Sequence, residues 1–290
     1  MCYVNSFAAF TSRSTRVLLA GLAVMFVYRR AAFGLRRYSR NSLLCFVMST
    51  RSSERAAKKS IEQTWGARCD LLLFIDQDTE GMRIDWDDNY GALARKSHQV
   101  WTLIHRKYGE QFDFFMKADF DTYILMENMI KYLGSFDHRQ PYYLGKQLLH
   151  PKFGPFVAGA AVVMSQAALS MLYAATSRDS ESCSEEYFAT FGGQDDLALG
   201  VCLQTIGIYP QNSRTLANEE RFMVFDVDYM YDTTSSGVTS QQWYMNMSFN
   251  TVFGRGCCSE DAIVFHMVAR ADLYRVLKYK NGRWSWAPAS

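Results

Sequence analysis

Short uninterrupted apolar runs alternate along this chain with longer stretches in which apolar residues recur every three or four positions. The run Leu43–Met48 predicts a buried strand. Ser53-Glu54 then opens a helix to about Trp65, with Ala57, Ile61 and Trp65 at helical spacing. Leu71–Ile75 predicts a second buried strand, which ends in the acidic loop Asp76–Asp88. A stripe of Leu93, Val100, Trp101, Ile104 and Tyr108 predicts a long helix from Tyr90 to about Tyr108. Strand, helix, strand is the opening of an α/β unit built on a parallel sheet.

Further on, the pattern predicts a strand over 112–117, a helix over Leu125–Leu133 and a short strand over Tyr142–Gly145. Lys146–Gly154, with His150 and Pro151, reads as a loop over the site. Phe156–Met164 reads as one strand whose Gly159 marks a bulge, a close ligand approach or tight packing. A helix over Gln166–Ala175, a polar stretch 176–193, an amphipathic helix from Asp195 to Ile206 and a strand-like run Ala262–Val268 complete the order. With no internal repeat and no interdomain linker, residues 41–290 are expected to form one domain.

Charge changes the picture at one end. Residues 1–40 hold seven arginines and no acid, leaving 24 basic against 29 acidic residues in 41–290, a net charge of −5. No basic, aromatic-interleaved surface of the kind that binds nucleic acid is visible. The basic head encloses the apolar run Val17–Tyr28, shorter than the roughly 20 residues a spanning helix needs. A short signal-anchor, a signal peptide and an ordinary buried helix all fit it, with membrane targeting the favoured reading. As a signal-anchor it would carry Arg29–Arg40 on the side the positive-inside rule keeps in the cytoplasm, which opposes a lumenal body.

Candidate chemistry centres on Asp119-Phe120-Asp121, delivered by the apolar run Phe114–Met116. Two carboxylates spaced i, i+2 at a strand end can be brought round one hard divalent cation, which takes its remaining ligands from phosphate. Taken alone, the same triplet is as readily a solvated strand boundary. Asp195-Asp196 opens a helix, where acids suit the positive end of the helix dipole whatever else they do. His266 stands in an apolar run and, on its own, reads as a satisfied sheet residue. None of the seven cysteines forms a zinc pattern, and six of them are compatible with bridges in an oxidising compartment. Chain proximity pairs Cys45 with Cys69 and Cys183 with Cys202. Cys257 and Cys258 are expected to pair outward, because bridging neighbours distorts the backbone. Asn246-Met247-Ser248 is a glycosylation sequon, a weak signal by itself.

The segments Trp65-Gly-Ala-Arg-Cys69, Phe115-Met-Lys-Ala-Asp-Phe-Asp-Thr-Tyr123, Asp195-Asp-Leu-Ala-Leu-Gly200, Gly256-Cys-Cys-Ser259 and Phe265-His266 occur in an order that resembles the core 1 β1,3-galactosyltransferases, relatives of Fringe. The resemblance covers about residues 43–268. It implies a GT-A type nucleotide-sugar transferase fold with a mostly parallel central sheet flanked by helices, Mn²⁺, and UDP-galactose as donor. The implied reaction is an inverting transfer to the 3-hydroxyl of GalNAc-α-Ser/Thr on glycoproteins. Such enzymes are typically single-pass type II proteins of the Golgi membrane with a lumenal catalytic domain, and often dimers.

By the same resemblance, Asp119 and Asp121 match the outer acids of the family's three-aspartate motif, with Phe120 replacing the central one, and His266 completes the metal site. Asp119 is expected on the ribose or sugar side, and Asp121 with His266 on the metal. Asp196 matches the presumed catalytic base, with Asp195 the alternate. Trp243 and Tyr244 are expected to line the acceptor groove. Departures at Ala94, Ala158, Met245 and Met247 put acceptor choice in doubt, and three rivals stand: a Fringe-like transferase with another donor or acceptor, a non-catalytic chaperone-like paralogue supported mainly by Phe120, and a plain soluble α/β protein with fortuitous acids.

Overall fold

The computed structural model describes residues 41–48, 55–85, 87–178, 181–232, 242–249, 252–269 and 272–287. The basic segment 1–40 with its run 17–28, and the Ser53-Glu54 helix start, lie outside them. Among the described residues no helix is long and apolar enough to cross a membrane.

β1 (Leu43–Met48) and β2 (Leu71–Ile75) form over the two apolar runs, joined by α1 (Arg55–Gln63) and a 3₁₀ turn at Trp65–Arg68. The helix α2 (Leu93–Tyr108) is entered through a 3₁₀ turn at Tyr90–Ala92 and leads to β3 (Phe114–Ala118). Then come β4 (Tyr123–Ile124), α3 (Met126–Leu133) and β5 (Tyr143–Leu144). The presumed loop Lys146–Gly154 is largely a hairpin of β6 (Gln147–His150) with β7 (Gly154–Val157). The single strand expected over Phe156–Met164 is two, β7 and β8 (Ala161–Ser165), because the chain steps aside at Ala158–Ala160. After β8 follow α4 (Gln166–Ser177), α5 (Glu185–Ala189), α6 (Asp195–Thr205), α7 (Val227–Tyr231) and α8 (Gln242–Met247). β9 (Val264–Phe265) and the hairpin of β10 (Leu277–Lys280) with β11 (Arg283–Trp286) close the order.

The central sheet runs β2-β1-β3-β8-β5. Its β2–β1 and β1–β3 pairings are parallel, as the strand–helix–strand pattern requires. The β3–β8 and β8–β5 pairings are antiparallel, so the sheet is mixed rather than mostly parallel. The cause lies at the β6–β7 hairpin, which delivers the chain to the end where β3 finishes. Ala161 sits opposite Ala118, so β8 must run back along β3.

Alternation along the strands divides the core. Leu44, Phe46 and Phe115 face α2, α4 and α6, where Phe46 meets Trp101 edge-on at 4.7 Å. Leu43, Cys45, Val47, Phe114 and Met116 face Ile61, Trp65 and α3. Each such side chain contributes about 1.5–3 kcal/mol by leaving water. A third cluster gathers β9, α8 and the β10–β11 hairpin.

Cys45–Cys69 and Cys183–Cys202 are bonded, as chain proximity suggested. Cys257 and Cys258 bond to each other instead of outward. Both are buried, and no other described cysteine is left for them to reach.

Candidate active site

β3 is the middle strand of the sheet, and its C-terminal end carries Asp119. The chain turns there through Thr122, whose hydroxyl donates to the Ala160 carbonyl (2.8 Å) while the Trp65 indole donates to the Thr122 carbonyl (3.0 Å). The Phe120 ring packs against the core face shared with Phe114 and Met116, which leaves the two flanking carboxylates free to converge. β4 then pairs with β9, Tyr123 opposite Phe265, and this register sets His266 beside the turn. The Val268 amide donates to the Asp121 carbonyl (2.9 Å) and pins the arrangement.

His266 Nε2 lies 3.1 Å from Asp121 Oδ1 and 3.5 Å from Asp119 Oδ2. One ligand atom from each of the three residues falls within 4.8 Å of the others. Two carboxylates and an imidazole make a mixed O/N donor set that suits Mn²⁺ or a similar divalent ion, and the ring nitrogen already points between the acids. Burial alone would lower the His266 pKa, but the hydrogen bond to Asp121 and the charges of both acids raise it above the ordinary value. Burial likewise pushes Asp121 up, yet its contact with His266 overcomes this and holds the carboxyl below the usual range. At Asp119 burial wins over Lys117 and His266, and the carboxyl sits above its ordinary value.

The second acidic pair opens α6. Asp195 is buried, and Lys117 Nζ lies 2.9 Å from its Oδ2 and 3.1 Å from Asp119 Oδ1. One cation, 1% exposed, thus ties the acidic turn after β3 to the start of α6. Burial would lower the Lys117 pKa, but the charges of Asp119 and Asp195 raise it, so it stays protonated. The neighbouring Asp196 accepts from the Gly159 amide through Oδ2 (2.9 Å) and from the Leu197 amide through Oδ1 (2.8 Å). Burial pushes its carboxyl up to about 6, helped by the Asp195 charge and opposed by Lys117 and the two amides. Gly159 stands between the two walls: a Cβ there would lie 3.5 Å from Asp119 Oδ2 and 3.6 Å from Asp196 Oδ2.

Asp119, Asp195, Asp196, His266 and Trp243 all line one cavity of about 400 Å³. Tyr244 does not reach it. That ring is fully buried behind Trp243, packed edge-on to Phe225 at 5.0 Å. Sequence reasoning assigned no role to Lys117, although a lysine inside an apolar strand run demands a carboxylate partner. It also passed over Tyr90, 76% exposed at the cavity rim.

A mixed α/β sheet, an acidic turn at the end of its middle strand and a histidine returned by a late strand define the nucleotide-sugar transferase class that the sequence resembles. Residues 40–254 match the family described as Fringe-like, and the chain belongs to that family. Among curated proteins it is similar to glycoprotein-N-acetylgalactosamine 3-beta-galactosyltransferase 1 of Xenopus laevis, 26% identical over 238 residues, or 80% of this chain and 64% of that one. The chain therefore spans somewhat under two thirds of that relative's length.

Solved structures similar to it include a glycosyltransferase involved in glycosylation of the major capsid of PBCV-1 (12% identity, 80% of this chain and 97% of that one, TM-score 0.42). Another is the galactosyltransferase LgtC in complex with donor and acceptor sugar analogs (13% identity, 77% and 86%, TM-score 0.40).

Proposed function

We propose that this chain is a metal-dependent inverting β1,3-galactosyltransferase that moves galactose from UDP-galactose to the 3-hydroxyl of GalNAc-α-Ser/Thr on glycoproteins. The observation that carries this reading is that Asp119 and His266, two members of the Asp119–Asp121–His266 cluster, line one cavity with a separately held carboxylate, Asp196. Inversion needs a base on the face opposite the leaving group, and a metal-holding carboxylate cannot readily serve as that base.

Asp196 fits this role. Two backbone amides orient its carboxylate, and burial raises its proton affinity toward neutrality. As the acceptor O3 bonds to the galactose anomeric carbon, the bond from that carbon to the UDP oxygen breaks. Asp196 takes the O3 proton and later releases it to solvent. Asp121 and His266 would hold Mn²⁺, with Asp119 turned to the ribose or sugar side. When bound, the ion would neutralise charge on the departing diphosphate. Lys117 keeps both acidic walls in register without touching the substrates. Trp243, at the cavity wall, offers an aromatic face to the acceptor sugar. Under this reading the protein works in the Golgi lumen as a type II membrane protein and homodimer.

A Fringe-like transferase with a different donor or acceptor is the second reading, favoured by the family match itself. The chaperone-like reading loses its main support, since Phe120, half-buried, packs against the core and leaves both acids converged.

The test is UDP release by the full chain, extracted in detergent from the membranes of expressing cells, given UDP-galactose or UDP-GlcNAc, Mn²⁺ and a GalNAc-α-Thr peptide. Peptide-dependent release with UDP-galactose, abolished by chelation and in Asp121→Ala and Asp196→Ala, is expected. A folded protein that binds neither UDP nor Mn²⁺ would sink the enzyme reading.

A further inference from the structure

Strand β6 separates two cavities. Leu148 lines the one just described, while Lys146 and Gln147 line a second of about 280 Å³. Its floor is a buried charge triplet. Lys146 and Glu220 are 2% and 4% exposed at their side chains, and Glu220 Oε1 accepts from both Lys146 Nζ and Arg214 Nε, the latter at 2.6 Å. Two cations on one carboxylate leave an excess positive charge.

Among the described residues little else meets that excess. Arg214 also donates to Asn218 Oδ1 (3.3 Å), and Lys146 Nζ stands 5.6 Å from the centre of the Tyr244 ring. The nearby Arg221 is engaged by the Ser213 carbonyl (2.9 Å), and Glu219 turns to the Thr215 hydroxyl (3.3 Å). Neither Arg221 nor Glu219 lines the cavity. Buried cations in surplus at an open polar cavity select an anion.

We propose that this cavity is a subsite for a carboxylate side chain, aspartate or glutamate, on the acceptor polypeptide near the sugar-bearing residue. The proposal rests on the glycoprotein-acceptor reading above. Geometry links the two cavities through the same two walls. Trp243 and Met247 of α8 line the first, and Phe249, just past α8, lines the second. Ser248 between them bridges to Leu148 of β6. A polypeptide whose sugar lay against Trp243 would have the second cavity on the far side of this β6–α8 seam. The donor's diphosphate already has its place at the Asp119–Asp121–His266 cluster, so a second anion site belongs to the other substrate.

The experiment uses the full chain, extracted in detergent from the membranes of expressing cells, and fluorescent GalNAc-α-Thr peptides that differ only in a flanking Asp, Asn or Lys. Peptide Kd is read by anisotropy, alongside kcat/KM and, separately, binding of UDP with Mn²⁺. Wild type is expected to prefer the Asp peptide about tenfold over the Asn peptide, with the Lys peptide weakest. Arg214→Gln should bring the Asp/Asn ratio to about one. Because Arg214→Gln also weakens a buried contact, Asn212→Asp at the exposed rim is the second variant, and it should invert the order in favour of Lys. Equal Kd for the three peptides in wild type, or a preference untouched by Asn212→Asp, overturns the proposal. Acid-selective binding without turnover would support the subsite while refuting the transfer reaction.

Discussion

Replacing Lys117 by methionine keeps the length of the side chain and removes the only cation that lies between Asp119 and Asp195 among the described residues. Two carboxylates, one of them 6% exposed, would then face each other, with His266 3.5 Å from Asp119 and no cation beside Asp195 among the described residues. Removing one partner of a buried ion pair costs about 3–5 kcal/mol. Against a total stability of roughly 5–15 kcal/mol, that is a large share. For a domain of this size it corresponds to a fall in Tm of roughly 6–20 °C.

The sign of the pH dependence follows. In the variant, the folded state relieves the repulsion by taking up a proton that the unfolded chain would not hold at neutral pH. Folding then binds protons, and the variant regains stability as pH falls from 8 to 5 and loses it as pH rises. Divalent metal at the acidic turn should recover part of the loss by supplying the missing positive charge. The assay is thermal unfolding followed by circular dichroism at several pH values, with and without Mn²⁺. A Lys117→Met protein that melts within about 2 °C of wild type at pH 8 would refute the reasoning, since ordinary surface substitutions move stability by no more than this.

Asp196→Asn should lower kcat by about 10²–10⁴-fold while leaving UDP and Mn²⁺ binding intact, checked by steady-state kinetics beside calorimetry. The Asp196 carboxyl is raised to about 6, so kcat/KM should fall as pH drops through that value and the base becomes protonated. Its folded pKa lies above the unfolded one, so the same group adds stability at low pH and withdraws it as pH rises toward 6. His266→Ala should weaken Mn²⁺ binding by at least about 10–100-fold, read by titration of the ion into the metal-free protein. Cys183 and Cys202, 19 residues apart, should contribute about 3 kcal/mol by closing their loop, so the double serine variant should melt clearly lower.

Where the chain forms buried strands without interruption, its sequence is a sufficient guide. β1 and β2 coincide with their apolar runs because nothing in Leu43–Met48 or Leu71–Ile75 favours a turn. Hydrophobicity fails where backbone direction changes inside an apolar stretch. Phe156–Met164 is apolar throughout, and the break at Gly159 exists because its amide must meet Asp196, a residue 37 positions away. The β6 strand was hidden by the opposite error, since His150 and Pro151 mimic a loop although Leu148 is buried. The β10–β11 hairpin did announce itself locally. Asn281-Gly282, both at positive φ, is a strong two-residue turn signal that the reading passed over.

At the site, the acids and His266 were legible as residue types, but their convergence depends on the β4–β9 register. Lys117 lay in plain view within its motif. Its meaning appears only once β3 is the buried centre of the sheet.

The position of β3 also sets how freely the two halves of the cavity can diverge. The acidic turn hangs from the central strand, held on both flanks by β1 and β8, so it opens only when the whole sheet opens. The wall bearing Trp243 is a six-residue helix outside that sheet, facing a two-stranded hairpin. Substitutions can accumulate in α8 and β6 without loosening the metal cluster. Under the proposed assignment of the acceptor to the Trp243 wall and the donor to the acidic turn, a lineage built on this plan can explore new acceptors while its donor chemistry stays fixed.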